Sequence, residues 1–226
     1  MLARFSQFLF KMTKTNTRMG EDMSATQQLD GAELLHLGIE ASSRNDHGAA
    51  IGYLKQALDL PEGSAAMSGD YAKYLYMLGA EYAQIGMMDR AQEYMSKALD
   101  MAPDLHTARF QLGLLHITCA QPAQALSVLA PLATLPEESA FHHFGAGLQF
   151  LIQDQLASCR ESLKRGIELN SASSVPNLAL NADMNKLLNA LDENGDGTQT
   201  VVAMGGAPTA EAGYLMSAYS RSNGVN

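Results

Sequence analysis

Between residues 31 and 191 apolar residues return at helical spacing, and small residues interrupt them at regular places. In the stretch Tyr74 to Pro103, Leu75, Leu78, Gly79 and Tyr82 fall on one face of a predicted helix. Gly86 breaks that pattern, Ala91, Met95 and Ala98 resume it on a second helix, and Pro103 ends it because proline cannot continue a helix. The same order recurs further along, where Gly113 follows Leu112, His116 stands in the place of Tyr82, and Ala125, Leu129 and Leu132 form the second face. An equal step beyond that, Gly147 follows Ala146, with Phe150, Cys159, Leu163 and Gly166 in the matching places. Going backwards the step is longer, to Leu34, Leu37, Gly38 and Ala41 and then Ala50, Leu54 and Ala57. The additional residues of that step belong to the polar joint "PEGSAAMSGD".

Recurring glycine and alanine have a physical meaning in such a chain. They leave room where one helix lies close against another, and each pair hides its apolar face only by stacking on the next. The spacing and residue choices resemble the tetratricopeptide repeat, a pair of antiparallel helices of about 34 residues. Four copies span residues 31 to about 170. The second copy carries nearly every landmark. Elsewhere Ala120 replaces the turn glycine, Cys159 and Gly166 replace two alanines, and Asn45 with Asp46 makes the first turn. The resemblance implies an all-α, right-handed α-solenoid of about four helix-turn-helix repeats plus a C-terminal capping helix. Leu178, Leu180, Met184, Leu187, Leu188 and Leu191 give that last helix its buried side, while Asn181, Asp183, Asn185 and Lys186 face water. The expected organisation is a flexible or targeting-like segment over 1–30, a repeat domain with its cap over 31–191, and a Gly, Ala and Ser-rich flexible tail over 192–226.

Charge narrows the partners. Lys plus Arg total 15 against 24 Asp plus Glu, a net charge of −9, which is the wrong sign for binding a phosphate backbone. No run approaches the ~20 apolar residues of a membrane-spanning helix. Cys119 and Cys159 lie far apart in the chain without the spacing of a zinc site or a disulfide framework, so a reducing compartment and a cytoplasmic location are expected. The amino end complicates that location, because Arg4, Lys11, Lys14 and Arg18 all precede Glu21. An organelle-targeting segment, a membrane-surface helix through Phe5, Phe8, Leu9 and Phe10, and a start at Met23 are the three readings. The last is preferred, since "MSATQQLDGAELL" leads directly into helical periodicity.

No catalytic constellation is visible, no cofactor is implied, and the chain is not expected to be an enzyme. His142 and His143 are adjacent and so point about 100° apart on a helix, which suits core or joint filling better than shared metal ligation. His116 and Cys159 occupy packing places of the repeat, and Met87, Met88, Met95 and Met101 stand at core spacing. Asp192, Asn194, Asp196 and Gly197 match the front of a calcium loop, but the twelfth place holds Ala203 where a bidentate Glu is needed. No metal site is expected.

The resemblance directs attention to the groove lined by the first helix of each repeat, which the family commonly uses to hold a peptide or partner helix. The groove residues it implies are Leu35 and Ile39 in the first copy, Lys73 and Tyr76 in the second, Phe110, Leu114 and Ile117 in the third, and Phe141, Phe144, Leu148 and Leu151 in the fourth. Leu35 and Ile39 stand where a clamp for acidic chaperone tails needs Lys and Asn, so an apolar segment or an amphipathic helix is the expected guest. The functional expectation is an adaptor or peptide-binding chaperone that interacts with protein and not with nucleic acid. The alternative is a structural subunit whose groove is permanently filled by a neighbouring chain or by its own tail around Tyr214, Leu215, Met216 and Tyr219, and a separate reading has Phe141, Phe144, Leu148 and Leu151 covered by the capping helix or by a second copy in a homo-oligomer.

Overall fold

A computed structural model describes residues 29–60 and 71–194. The expectations that rest on residues 1–28, on most of the tail and on the joint at 61–70 lie outside these residues. All regular structure among the described residues is helical: α1 (Gly31–Ser43), α2 (His47–Leu58), α3 (Tyr71–Gln84), α4 (Met88–Met101), α5 (His106–Thr118), α6 (Pro122–Leu129), α7 (Ala140–Ile152), α8 (Leu156–Ala172) and α9 (Leu178–Asn194). Pairs α1/α2, α3/α4, α5/α6 and α7/α8 pack side by side and neighbouring pairs stack, giving a helical solenoid that α9 closes.

Each pair turns through three residues, and the middle one carries a positive φ: Asn45 at 59°, Gly86 at 77°, Ala120 at 55° and Asp154 at 58°. The same long backbone hydrogen bond closes every turn. Asp46 N donates to Ala41 O, Met87 to Tyr82, Gln121 to His116 and Gln155 to Phe150, at 2.8–2.9 Å. A left-handed residue followed by this bond is the way a helix satisfies its last carbonyls while reversing direction. Asn and Asp tolerate that conformation better than Ala does, so the third turn is the strained one.

Within each pair the recurring glycine of the first helix meets one large side chain of the second. A Cβ on Gly79, Gly113 or Gly147 would press on Met95, Leu129 or Leu163 respectively, at Gly79 2.8 Å from Met95 Cγ, while at Gly38 it would meet Leu54 at ordinary contact distance. Those four side chains occupy equivalent positions and are almost wholly buried. Pro131 shortens the second helix of the third pair. It has no N–H to give, so α6 ends at Leu129 and a 3₁₀ segment, Ala130–Thr134, carries Leu132 into the core.

The core falls into two main clusters that meet at α5. One runs from Leu54 through Tyr76, Met77, Leu78 and Met95 to Leu112 and Leu115, and the other from Phe110 through Phe144, Leu148 and Leu163 to Leu187 and Leu191. The cap is pinned at both ends. Asn170 Nδ2 donates to Asn177 O and Asn181 Oδ1 near its start, and Arg160 donates to Leu191 O and Asp192 Oδ1 near its finish. Two expectations for this helix are corrected. Asn181 is buried in that amide network instead of facing water, and Leu178 is 69% exposed because it precedes the turn that reaches the core. The helix also continues past Leu191 to Asn194, which puts Asp192 and Asn194 of the calcium-like motif on helical backbone; Asp196 to Ala203 lie outside the described residues.

Candidate functional site

The first helices α1, α3, α5 and α7 carry the eleven groove positions, and the structure divides them into two groups. Leu35, Ile39, Lys73, Leu114, Ile117 and Phe141 are partly exposed. Tyr76, Phe110, Phe144, Leu148 and Leu151 are at most 1% exposed, so their expected place on an open groove is corrected: they are core. The reason lies in how adjacent first helices meet. Phe110 of α5 and Phe144 of α7 bring their ring centroids to 5.9 Å, and Tyr76 OH of α3 donates to Gln111 Oε1 of α5 at 2.9 Å. These side chains join one repeat to the next. Leu148 and Leu151 belong to the same cluster as Leu180, Met184, Leu187, Leu188 and Leu191 of α9.

What stays near the surface is two smaller apolar groups. Leu35 and Ile39 border the first core, and Leu114, Ile117 and Phe141 border the second. Phe141 sits at the edge of an aromatic group, 6.4 Å from Phe110 and from Phe144 and 6.0 Å from His106, centroid to centroid. Rings at these separations and tilts hold one another in place, so Phe141 presents a preformed face.

A buried polar group at the junction of the first two repeats was not foreseen. Glu81 in α3 is fully buried; Ser42 Oγ of α1 donates to its Oε1 at 2.6 Å, and His47 Nδ1 of α2 lies 2.8 Å from its Oε2. One carboxylate therefore ties both helices of the first repeat to the second. Its signal in the sequence is a lone acidic residue inside the apolar run "LYMLGAEYA". The geometry is not that of a nucleophilic triad, because serine and histidine each face the carboxylate and not each other.

Several other chemically capable side chains are engaged in local contacts. His116 Nδ1 lies 2.7 Å from Gln121 Oε1 in the third turn. His142 Nδ1 is 2.9 Å from Leu135 O and His143 Nε2 is 2.7 Å from Glu137 O, so both tie α7 to the joint before it. Arg109 reaches the carbonyls of Pro103 and Val128, and burial lowers its pKa. Burial pushes the Cys159 thiol up to about 11, which leaves it protonated and unreactive at neutral pH. No group of three or more metal-ligating side chains occurs among the described residues, and none of their helices is long and apolar enough to cross a membrane.

Residues 72–105, which span α3, α4 and the joint after them, match the family model of the tetratricopeptide repeat. This segment is a tetratricopeptide repeat. No curated protein matches the chain. The matched segment is the second of the four pairs, the copy with the fullest set of landmarks. Tetratricopeptide repeats generally serve as non-catalytic scaffolds that bind other proteins, and the repeat supports a protein–protein interaction module here.

Proposed function

We propose that the chain is an adaptor or peptide-binding chaperone that holds an apolar or amphipathic segment of a partner protein along its first helices. The observation that carries this reading is the set of partly exposed apolar residues, Leu35 and Ile39 on α1 and Leu114, Ile117 and Phe141 on α5 and α7, left on those helices after the core has taken their neighbours. Lys73 adds a cationic position to the same set of helices. Each anchored side chain has only part of its surface left to bury, a gain of about 1 kcal/mol apiece, which after ordering costs corresponds to weak, exchangeable binding.

A site-specific photo-crosslinking experiment tests the reading. A crosslinking residue replaces Leu114, and a control replaces the exposed Ser127 on α6. Crosslinks from position 114 to an apolar segment of a particular protein, absent from position 127, are the expected result. Equal labelling from both positions, or none from 114, overturns it. Phe110→Asp is unsuitable as a probe, because Phe110 is core and a charge there unfolds the repeat.

A further inference from the structure

A second surface lies between the C-terminal parts of the second helices of the first two repeats, over the start of α3. Lys55, Leu58 and Asp59 of α2 and Tyr94, Lys97, Asp100 and Met101 of α4 wall a cleft of about 590 Å³, and Tyr71 and Leu75 of α3 complete it. Its apolar part comes from Leu58, Leu75, the two tyrosines and Met101, which is 57% exposed. Tyr71 and Leu75 belong to a different side of α3 from Lys73, since two residues along a helix is about 200°. The cleft is thus separate from the apolar groups on the first helices.

Its charges are ordered. Asp59 and Asp100 hold equivalent positions at the ends of α2 and α4, as Leu54 and Met95 do within them, so the two helices present matching turns to the cleft. Lys55 and Lys97 stand one turn before the aspartates, about 5–6 Å along the axis at about 1.5 Å per residue. Among the described residues Lys55, Asp59 and Asp100 have no ion pair, while Lys97 bonds Glu93 at 2.6 Å with both side chains half exposed. The aspartates lie at the C-terminal ends of α2 and α4, where the helix dipoles add to their negative charge. Cationic and anionic side chains therefore stand one turn apart along the cleft, beside its apolar floor.

We propose that this cleft docks an amphipathic helix of a partner protein that carries one acidic and one basic side chain a single turn apart, with an apolar residue next to them on the same face. The acidic side chain meets Lys55 and Lys97, the basic one meets Asp59 and Asp100, and the apolar one rests on Tyr71, Leu75 and Leu58. A helix of either direction satisfies the pattern, because reversing it exchanges Glu-to-Arg for Arg-to-Glu spacing. This site stands independently of the groove reading.

The test is fluorescence anisotropy of the full chain with labelled peptides of about 15 residues, a length that supports helix. They present Glu and Arg one helical turn apart with Leu one further turn along the same face, with Glu/Glu, Arg/Arg and Gln/Gln versions as comparisons. The mixed-charge peptide is expected to bind tightest and to weaken as salt rises. Lys55→Glu or Asp100→Lys alone is expected to weaken it about fivefold, the upper range for a partly exposed pair. Inverting all four charges (Lys55→Glu, Lys97→Glu, Asp59→Lys, Asp100→Lys) restores binding, because the pattern survives reversed, and circular dichroism confirms that helicity is kept. Tightest binding of the Arg/Arg peptide would report only the net negative charge, and equal binding of all four only apolar contact; either overturns the proposal, as does no binding at all. A dimer of the chain alone that Lys55→Glu dissociates would place a second copy in the cleft and overturns it too.

Discussion

Ala120 occupies a backbone conformation that its three counterparts assign to Asn, Gly and Asp. Left-handed φ costs a non-glycine residue about 1–2 kcal/mol, while a glycine loses ~0.5–1 kcal/mol through its freer unfolded chain. Ala120→Gly is therefore expected to stabilise by about 0.5–1 kcal/mol, raising the thermal midpoint by a few degrees, and Gly86→Ala to do the reverse; differential scanning calorimetry reads both. The cysteines differ in the same local way. Cys159 is buried with its thiol pKa raised to about 11, whereas Cys119 is partly exposed. An aromatic disulfide reagent at mildly alkaline pH is expected to titrate Cys119 in the folded protein and Cys159 only after denaturant is added. Prompt reaction of both would contradict the burial of Cys159.

At the scale of the elements, glycines that look alike in the sequence separate by what stands opposite them. Gly113 in α5 faces Leu129 closely enough that a methyl group there must displace it, while a Cβ at Gly52 in α2 meets nothing within 4 Å. Gly113→Ala is expected to destabilise by about 1–3 kcal/mol through overpacking. Gly52→Ala is expected to stabilise by about 0.5–1 kcal/mol, because alanine is the better helix former and no neighbour opposes it. Urea denaturation of the two variants gives shifts of opposite sign; a shared sign would show that α1/α2 and α5/α6 do not approach as described.

For the whole molecule, stability passes between neighbouring repeats, so local damage has a direction. Removing the buried carboxylate with Glu81→Ala leaves Ser42 and His47 without that partner, at an expected cost of about 2–4 kcal/mol. Hydrogen exchange is expected to speed in α1 and α2, which that carboxylate ties to α3, and to change little in α7, α8 and α9. Uniform acceleration along the chain would show that the solenoid unfolds as one unit. The proposed groove and cleft both draw on the first two repeats, so this variant also separates binding that needs α1 and α2 from binding that rests on α5 and α7.

By itself the sequence determined the repeat, its period, the longer first joint, three of the four turns and the capping helix. Each of these is local: a helix face needs only spacing, a reversal needs only a residue that accepts positive φ, and a close crossing needs only a glycine followed by a large side chain one helix later. Which apolar residues remain at the surface was decided by tertiary structure. Phe110 and Leu114 stand one turn apart on one helix, yet the first is buried against Phe144 and the second is partly exposed. Periodicity assigns an angle around the axis, whereas burial depends on which neighbouring helix fills that angle and how far it extends. Glu81, Asn181 and the charged cleft follow the same rule, because their partners sit on other helices and only folding brings them together.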